Sequence, residues 1–258
     1  MDKQLAIIPC NLLDEYVSGF DVAVKTKFER LRESELSTSD FSFYTSVSAV
    51  FSSKIEGENI DIDSFVKHKR FGVRYEPDYT QKIDDLYEAY SFSAGNSLTP
   101  LNIERVHNII TKNILHSSLR GSFRRGNMFV ITGEGKIEYV AASPEIVAGA
   151  MQSFYADLSV LLEMHLTFAE SFFFASMIHL VFVKIHPFED GNGRTARLIE
   201  KWFLAEKLGT KAWFLQSEKM YYERHSQYYA NIRQLGLEYE TLNYLNAMPF
   251  LQMLPSSL

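Results

Sequence analysis

Between Lys184 and Arg197 the chain reads Lys-Ile-His-Pro-Phe-Glu-Asp-Gly-Asn-Gly-Arg-Thr-Ala-Arg, which gathers a base, a carboxylate, two glycines and two arginines. Gly191-Asn192-Gly193 lets backbone N–H groups close around an anion at the start of a helix, where the helix dipole is positive. Arg194 and Arg197 are three apart, so they share a helix face and can clamp more than one phosphate group. Asp190 would repel phosphate unless a hard cation such as Mg2+ bridges the two, with Mn2+ as a substitute. His186 then stands as a base near a phosphorus centre, with an ordinary pKa close to neutral. A single histidine is usually structural, and Asp-Gly-Asn-Gly alone is an ordinary turn. Their combination points to chemistry on a phosphate ester.

These residues need elements to hold them. Ala169 to Lys184 is an apolar run of helical length that Pro187 ends, because proline cannot continue the backbone ladder. Leu198, Trp202 and Ala205 recur at helical spacing, and Gly209 is placed as a C-terminal cap. The motif is therefore expected on a helix-loop-helix. A second helix of interest has Phe43, Val47, Val50 and Phe51 on one face, the N-cap formers Ser37 to Asp40 before it, and Gly57 after it. Glu56 falls at its negative end, where a carboxylate is disfavoured by roughly 0.3–1 kcal/mol. A cation from elsewhere would relieve that.

The rest of the chain reads mainly as helices. An extended start leads to a helical stretch with Val24, Phe28 and Leu31. Further helices are expected around Ile83 to Tyr90, from the cap Thr99-Pro100 through Ile110, from Pro144 to Leu162 and from Met220 to Asn231. Between Gly121 and Val140 the period changes. Met128 to Ile131 and Lys136 to Val140 are strand-like runs around Thr132-Gly-Glu-Gly135. A lone hairpin in a helical chain would be either decoration or an edge offered to a peptide.

Composition narrows the classes. The 258 residues carry a net charge of −6, which argues against nucleic acid as a partner, and Lys67 to Arg70 reads as a solvated helix face. Cys10 is the only cysteine, so no intrachain disulfide is expected, and a reducing, cytoplasmic setting is. The N-terminus lacks the apolar core of a signal peptide. Phe168 to Ile185, broken by Glu170, His179 and Lys184, is expected as a buried core helix rather than a membrane span.

His186-Pro187-Phe188-Glu189-Asp190-Gly191-Asn192-Gly193-Arg194-Thr195-Ala196-Arg197 resembles the Fic family signature H-P-F-x-[D/E]-G-N-G-R-x-x-R at every fixed position. Ser52-x-x-x-Glu56-Gly57 resembles the inhibitory motif [S/T]-x-x-x-E-[G/N] of Fic proteins that carry their own N-terminal inhibitory helix. Gly121-x-Phe123-Arg124 resembles the entry to the family's flap, and Tyr228-Tyr229 with Ile232 its Y-Y-x-x-[LI] segment near the adenosine pocket. Where the family often has Asn-Arg before that segment, this chain has Arg224-His225.

The resemblance implies an all-α, Fic-type helical bundle with a small β-hairpin flap. It implies a protein adenylyltransferase that moves AMP from ATP to a Ser, Thr or Tyr hydroxyl of a target protein or of the enzyme itself. His186 would be the base and Asp190 the Mg2+ ligand. Gly191, Asn192 and Gly193 would hold the α- and β-phosphates, Arg194 the β and γ, and Arg197 the γ. Phe188 would point into the core. Tyr228 and Tyr229 would lie by the nucleotide, and Met128, Phe129, Val130 and Ile131 would dock the target. Ser52, Glu56 and Gly57 would inhibit, through a Glu56–Arg197 pair. The expected division is an N-terminal region 1–78, a Fic core 79–209 with its soft border at Glu76-Pro77-Asp78, and an extension 210–258 packed on the core. Alternatives are a related activity on the same scaffold (removal of AMP, phosphoryl or phosphocholine transfer) and a nucleotide-sensing module that no longer catalyses. The retained base speaks against the last.

Overall fold

The computed structural model describes residues 5–75, 79–131 and 137–258. Glu76-Pro77-Asp78 and Thr132 to Lys136 lie outside the described residues. The fold is mostly helical with one two-stranded antiparallel sheet. The elements are α1 (Leu13–Ser18), α2 (Val22–Glu29), α3 (Phe43–Ile55), α4 (Ile62–Phe71), α5 (Gln81–Ala94), α6 (Pro100–Ile110), β1 (Phe129–Ile131), β2 (Ile137–Val140), α7 (Pro144–Glu163), α8 (Phe168–Ile185), α9 (Asn192–Leu208), α10 (Ser217–Glu223), α11 (His225–Arg233) and α12 (Met248–Leu251).

α8 is the central element. Thr167 caps it, accepting from Glu170 N–H while the Glu170 carboxylate accepts from Thr167 N–H. Phe172, Phe173, Ile178, Phe182 and Ile185 are fully buried on its several faces, as expected of a helix wrapped by others. It is long and apolar enough to cross a membrane, yet 83% of it is buried inside the protein. α9 packs along it, α7 covers another side, and α1 brings Tyr16 edge-on to Phe173. α3 lies against α5 and α10, and α5 against α6. One hydrophobic cluster runs from Ile8 to Leu254, so the segments at both ends pack into a single core.

Several sequence expectations shift. The N-terminal part holds two short helices instead of one, with Leu31 outside α2. The segment before them bends, and Ala6, Ile7 and Ile8 donate their N–H groups to the buried Asp157 carboxylate. α3 is capped by Ser42, which accepts from Thr45 N–H. The expected cap cluster instead forms a turn closed by the Thr38–Phe41 bridge, with Ser37 Oγ accepting from Phe43 N–H. The helix expected from Met220 to Asn231 breaks at Arg224 (φ −110°, ψ 36°) into α10 and α11. In the hairpin Phe129 pairs with Val140, Val130 with Tyr139 and Ile131 with Ile137 across a bulge. Met128 lies just before β1, and its carbonyl accepts from Ala141 N–H. Val140 N–H donates to Leu237 O, so β2 is partly covered on its far side.

Candidate active site

The site forms where α8 ends and α9 begins. A helix leaves its last carbonyls without partners, and here the next residue but one is Pro187, which has no N–H to give Val183 O. Two side chains supply the missing donors. Arg124 donates from Nε to His186 O at 2.7 Å and from its terminal nitrogens to Ile185 O, Gly126 O and Ala142 O, and its own N–H bonds to Pro187 O. Tyr139, from β2, donates its hydroxyl to Val183 O at 2.8 Å.

His186 ends α8 in the left-handed conformation (φ 52°, ψ 59°), the one non-glycine at positive φ among the described residues. Its Nδ1 lies 3.1 Å from Tyr139 Oη and 3.3 Å from Val183 O. Because the Tyr139 proton already serves Val183 O, Nδ1 is the protonated nitrogen and Nε2 carries the lone pair. Burial, reinforced by Arg124, outweighs the opposing pull of Val183 O, Glu56 and Asp190 and pushes the imidazole down to about 4. It is neutral at physiological pH, as a base must be.

The loop is braced from below. Phe188 is fully buried and stacks on the His107 ring at 3.7 Å between centroids. His107 accepts from Gly121 N–H at Nδ1, so its Nε2–H donates to Asp190 O at 2.8 Å. The Asn192 side chain accepts from Phe188 N–H and donates to Phe188 O. The Oδ1 and one Nδ2–H are thus spent on the loop, which leaves Asn192 its backbone N–H and its second Nδ2–H to offer an anion. Gly191 (φ 83°) sits where a Cβ would meet Thr111 at 2.8 Å, so only glycine makes this turn.

α9 opens with Asn192, Gly193 and Arg194, whose N–H groups have no partner in the helix. Arg194 donates to Asp190 Oδ1 at 2.9 Å, while its buried Nε lacks a partner among the described residues. An unpaired buried donor of this kind is unfavourable by roughly 1–3 kcal/mol, and a phosphate oxygen would relieve it. Asp190 is half exposed beside it. No cluster of three or more metal-ligating side chains occurs among the described residues. A lone carboxylate fits Mg2+, which is commonly held by one or two carboxylates plus substrate phosphates.

Glu56 reaches this point from α3. Its Oε1 is 2.6 Å from an Arg197 terminal nitrogen, and an added Cβ on Gly193 would lie 2.8 Å from that same oxygen. The carboxylate at the negative end of α3 therefore lies over the positive end of α9, which removes the dipole conflict read in the sequence. Arg197 is 1% exposed and also donates to Ser52 Oγ (2.9 Å) and Ser52 O (3.1 Å). Burial alone would raise the Glu56 carboxyl, but Arg197 and Arg194 outweigh it and hold it below the usual carboxylate range. Gly57 (φ 93°) turns the chain away just after it.

Tyr228 does not face this opening. Its ring is buried, and its hydroxyl bridges His179 Nε2 at 2.9 Å and an Arg197 nitrogen at 3.4 Å. In this position it supports Arg197 from behind. Tyr229 is half-buried, its ring edge-on to Tyr228 and to His225. Sequence reasoning missed His107 and Tyr139. The signal for His107 was a titratable residue on the apolar stripe of Ile103, Val106 and Ile110. Tyr139 gave no signal beyond its place in a strand.

Residues 97–204 match the Fic/DOC family model. Comparison with curated proteins by sequence gives no match. Among solved structures, a Fic family protein from Desulfovibrio desulfuricans superposes with TM-score 0.68 at 18% identity, covering 95% of this chain and 69% of that one. A Fic domain containing signaling protein from Bacteroides thetaiotaomicron gives 0.66 at 18%, covering 95% and 90%. A fragment of Fic-1 from C. elegans gives 0.64 at 16%, covering 91% and 66%. At these identities the likeness is one of fold. The segment that the Fic/DOC family model matches, residues 97–204, includes His186 to Arg197, and the helical fold around it is shared with Fic proteins.

Proposed function

We propose that the protein is an adenylyltransferase that moves AMP from ATP to a protein hydroxyl and is inhibited by its own Glu56. The observation that carries the reading is His186, whose Nδ1 is committed to Tyr139 and Val183 so that Nε2 stands basic beside the anion loop. In the transfer, the target oxygen forms a bond to the α-phosphorus as its proton passes to His186 Nε2. The bond from that phosphorus to the bridging oxygen breaks, and pyrophosphate leaves with the electron pair. The N–H groups of Asn192, Gly193 and Arg194 hold the phosphates, and the guanidiniums of Arg194 and Arg197 neutralise charge toward the γ end. Asp190 would hold Mg2+, which when bound neutralises phosphate charge and stabilises the leaving group.

Glu56 opposes this in two ways. It occupies Arg197, and it places a negative charge over the helix end where phosphate would bind. Keeping about 99% of molecules closed requires only roughly 3 kcal/mol, which a tethered, largely buried carboxylate–guanidinium pair can supply. The same position supports a second reading, hydrolytic removal of AMP with Glu56 orienting water, because Glu56 is near enough to act on His186 electrostatically. Mass analysis of the target separates gain from loss of AMP. A cytoplasmic setting and a protein partner remain part of this proposal.

The test is His186→Ala, measured by calorimetry with ATP and Mg2+ and by labelling from α-labelled ATP. Nucleotide binding should persist and transfer should fall by roughly 10²–10⁴. Transfer retained within about tenfold would remove His186 as the base.

A further inference from the structure

The outer face of the hairpin is apolar and open. Phe129 is 54% exposed and Ile131 60%, and their neighbour Ile137 on β2 is 49% exposed. Side chains alternate between faces along a strand, so Val130, between the first two, points inward and packs against the core. Its partner across the hairpin is Tyr139, and residues directly opposite share a face. Tyr139 Oη lies 3.1 Å from His186 Nδ1. The inner face at Val130 and Tyr139 is therefore the side that looks toward the base. Among the described residues β2 is bonded on both sides, by β1 and by the bridge to Glu238, while β1 pairs only with β2. The edge open to a further strand is that of β1.

Register then fixes chemistry. A segment that adds to β1 must place its reacting residue across from Val130 to face His186. The residues just before and just after it then lie across from Phe129 and Ile131, on the outer face. Cross-strand pairs are the unit of sheet stabilisation, and an apolar or β-branched side chain beside Phe or Ile packs better than alanine. A charged one makes no such apolar contact. We propose that Phe129 and Ile131 are specificity residues that select targets in which the modified hydroxyl residue is flanked on both sides, in an extended segment, by apolar side chains. This rests on the reading of the protein as a transferase acting on a segment docked at the hairpin.

The experiment uses the full chain carrying Glu56→Gly. It is incubated with Mg2+, α-labelled ATP and a peptide library in which one Ser, Thr or Tyr is flanked by randomised positions, and modified peptides are sequenced by mass spectrometry. Val, Ile, Leu and Phe should be enriched at least threefold over Lys and Asp at both adjacent positions, and less at the next positions out. The double change Phe129→Lys with Ile131→Lys, on surface positions, should reverse the preference toward Asp and Glu. Thermal melting and ATP affinity confirm that the variant is folded. Modified peptides without flank preference, or the same preference in the double variant, would overturn the proposal. So would modification of folded proteins but of no peptide, because the target would not then be read as a strand. If the double variant changes the protein from dimer to monomer and leaves the preference intact, the apolar face serves self-association and the proposal is wrong. No AMP on any acceptor, with ATP still bound, would instead remove the transferase reading beneath it.

Discussion

α3 meets α9 at two charged points that differ in kind. At one, Lys201 Nζ is held by Ser48 Oγ, Leu215 O and Glu218, each within 2.7 Å, and both charges are buried to 1% exposure or less. Tyr90 donates to the other Glu218 oxygen, so the pair is satisfied on all sides. Burial would raise the Glu218 carboxyl, but Lys201 outweighs it and the net shift is downward. At the other, two turns further along α3, Arg197 is equally buried but Glu56 is 27% exposed and follows the last helical residue, next to a glycine. The first point fixes the helix in the core. The second is a single side chain at a helix end, which can leave its partner while the helix stays in place. On the proposed reading, relief of inhibition would be a local event at Glu56 rather than ejection of α3, whose Ala49, Val50 and Ser52 are fully buried.

The largest effect should come from breaking the fixed point. Lys201→Met leaves Glu218 buried without its cation, a loss of roughly 3–5 kcal/mol. The melting temperature should fall by about ten degrees, and a thermal melt reads it. A fall of only a degree or two would mean that the two points do not differ as described. Ser52→Ala probes the hinge between them. It removes the oxygen that accepts from Arg197 Nε, for roughly 1.5–3 kcal/mol, while the Glu56 contact remains. Stability should drop by that amount in a denaturant titration, with AMP transfer altered less than by Glu56→Gly.

Gly193→Ala separates release from function. Its methyl would stand 2.8 Å from Glu56 Oε1 and 3.2 Å from an Arg197 nitrogen, so it displaces Glu56 but also crowds Arg197. ATP affinity should weaken, and transfer should not rise. The smallest change expected is in pH dependence. His186 loses its basicity only when protonated, and burial has moved that event from the ordinary range down to about 4. kcat/KM of the Glu56→Gly form should therefore stay level as pH falls from 8 to about 5.5 and decline toward about 4. An acid limb near 6.5, the ordinary histidine value, would show that the ring is solvated in the working protein.

What the sequence disclosed and what it hid follow from the range of the interactions. The α8-loop-α9 unit was legible because its signals are local: the apolar run from Ala169, Pro187 and Gly191 at the loop, Gly209 at the end. Glu56 stood out because a carboxylate at a helix C-terminus conflicts with the dipole, but the choice of Arg197 as its cation came from the resemblance of Ser52 to Gly57 to the inhibitory motif. Tyr139 was hidden because its role depends on an orphan carbonyl 44 residues away, which no local pattern encodes. The part played by Arg124 was hidden for the same reason. Tyr228 was hard to place because tyrosine reads alike as an aromatic wall and as a core residue with one satisfied hydroxyl. The break at Arg224 was missed because no glycine or proline marks it.

The central claim is that Glu56 can be released while the rest of α3 stays fixed. It is tested most directly by measuring AMP transfer from α-labelled ATP by the parent, Glu56→Gly, Arg197→Ala and the double variant, each with its melting curve. We expect a rise of at least about tenfold in Glu56→Gly, the factor that release of a roughly 1.4 kcal/mol hold gives and that the roughly 3 kcal/mol needed for about 99% closure exceeds, with the melt shifted by only a few degrees. Arg197→Ala and the double variant should stay low because the γ-phosphate clamp is gone. A rate in Glu56→Gly equal to or below that of the parent, with the protein folded, would contradict it.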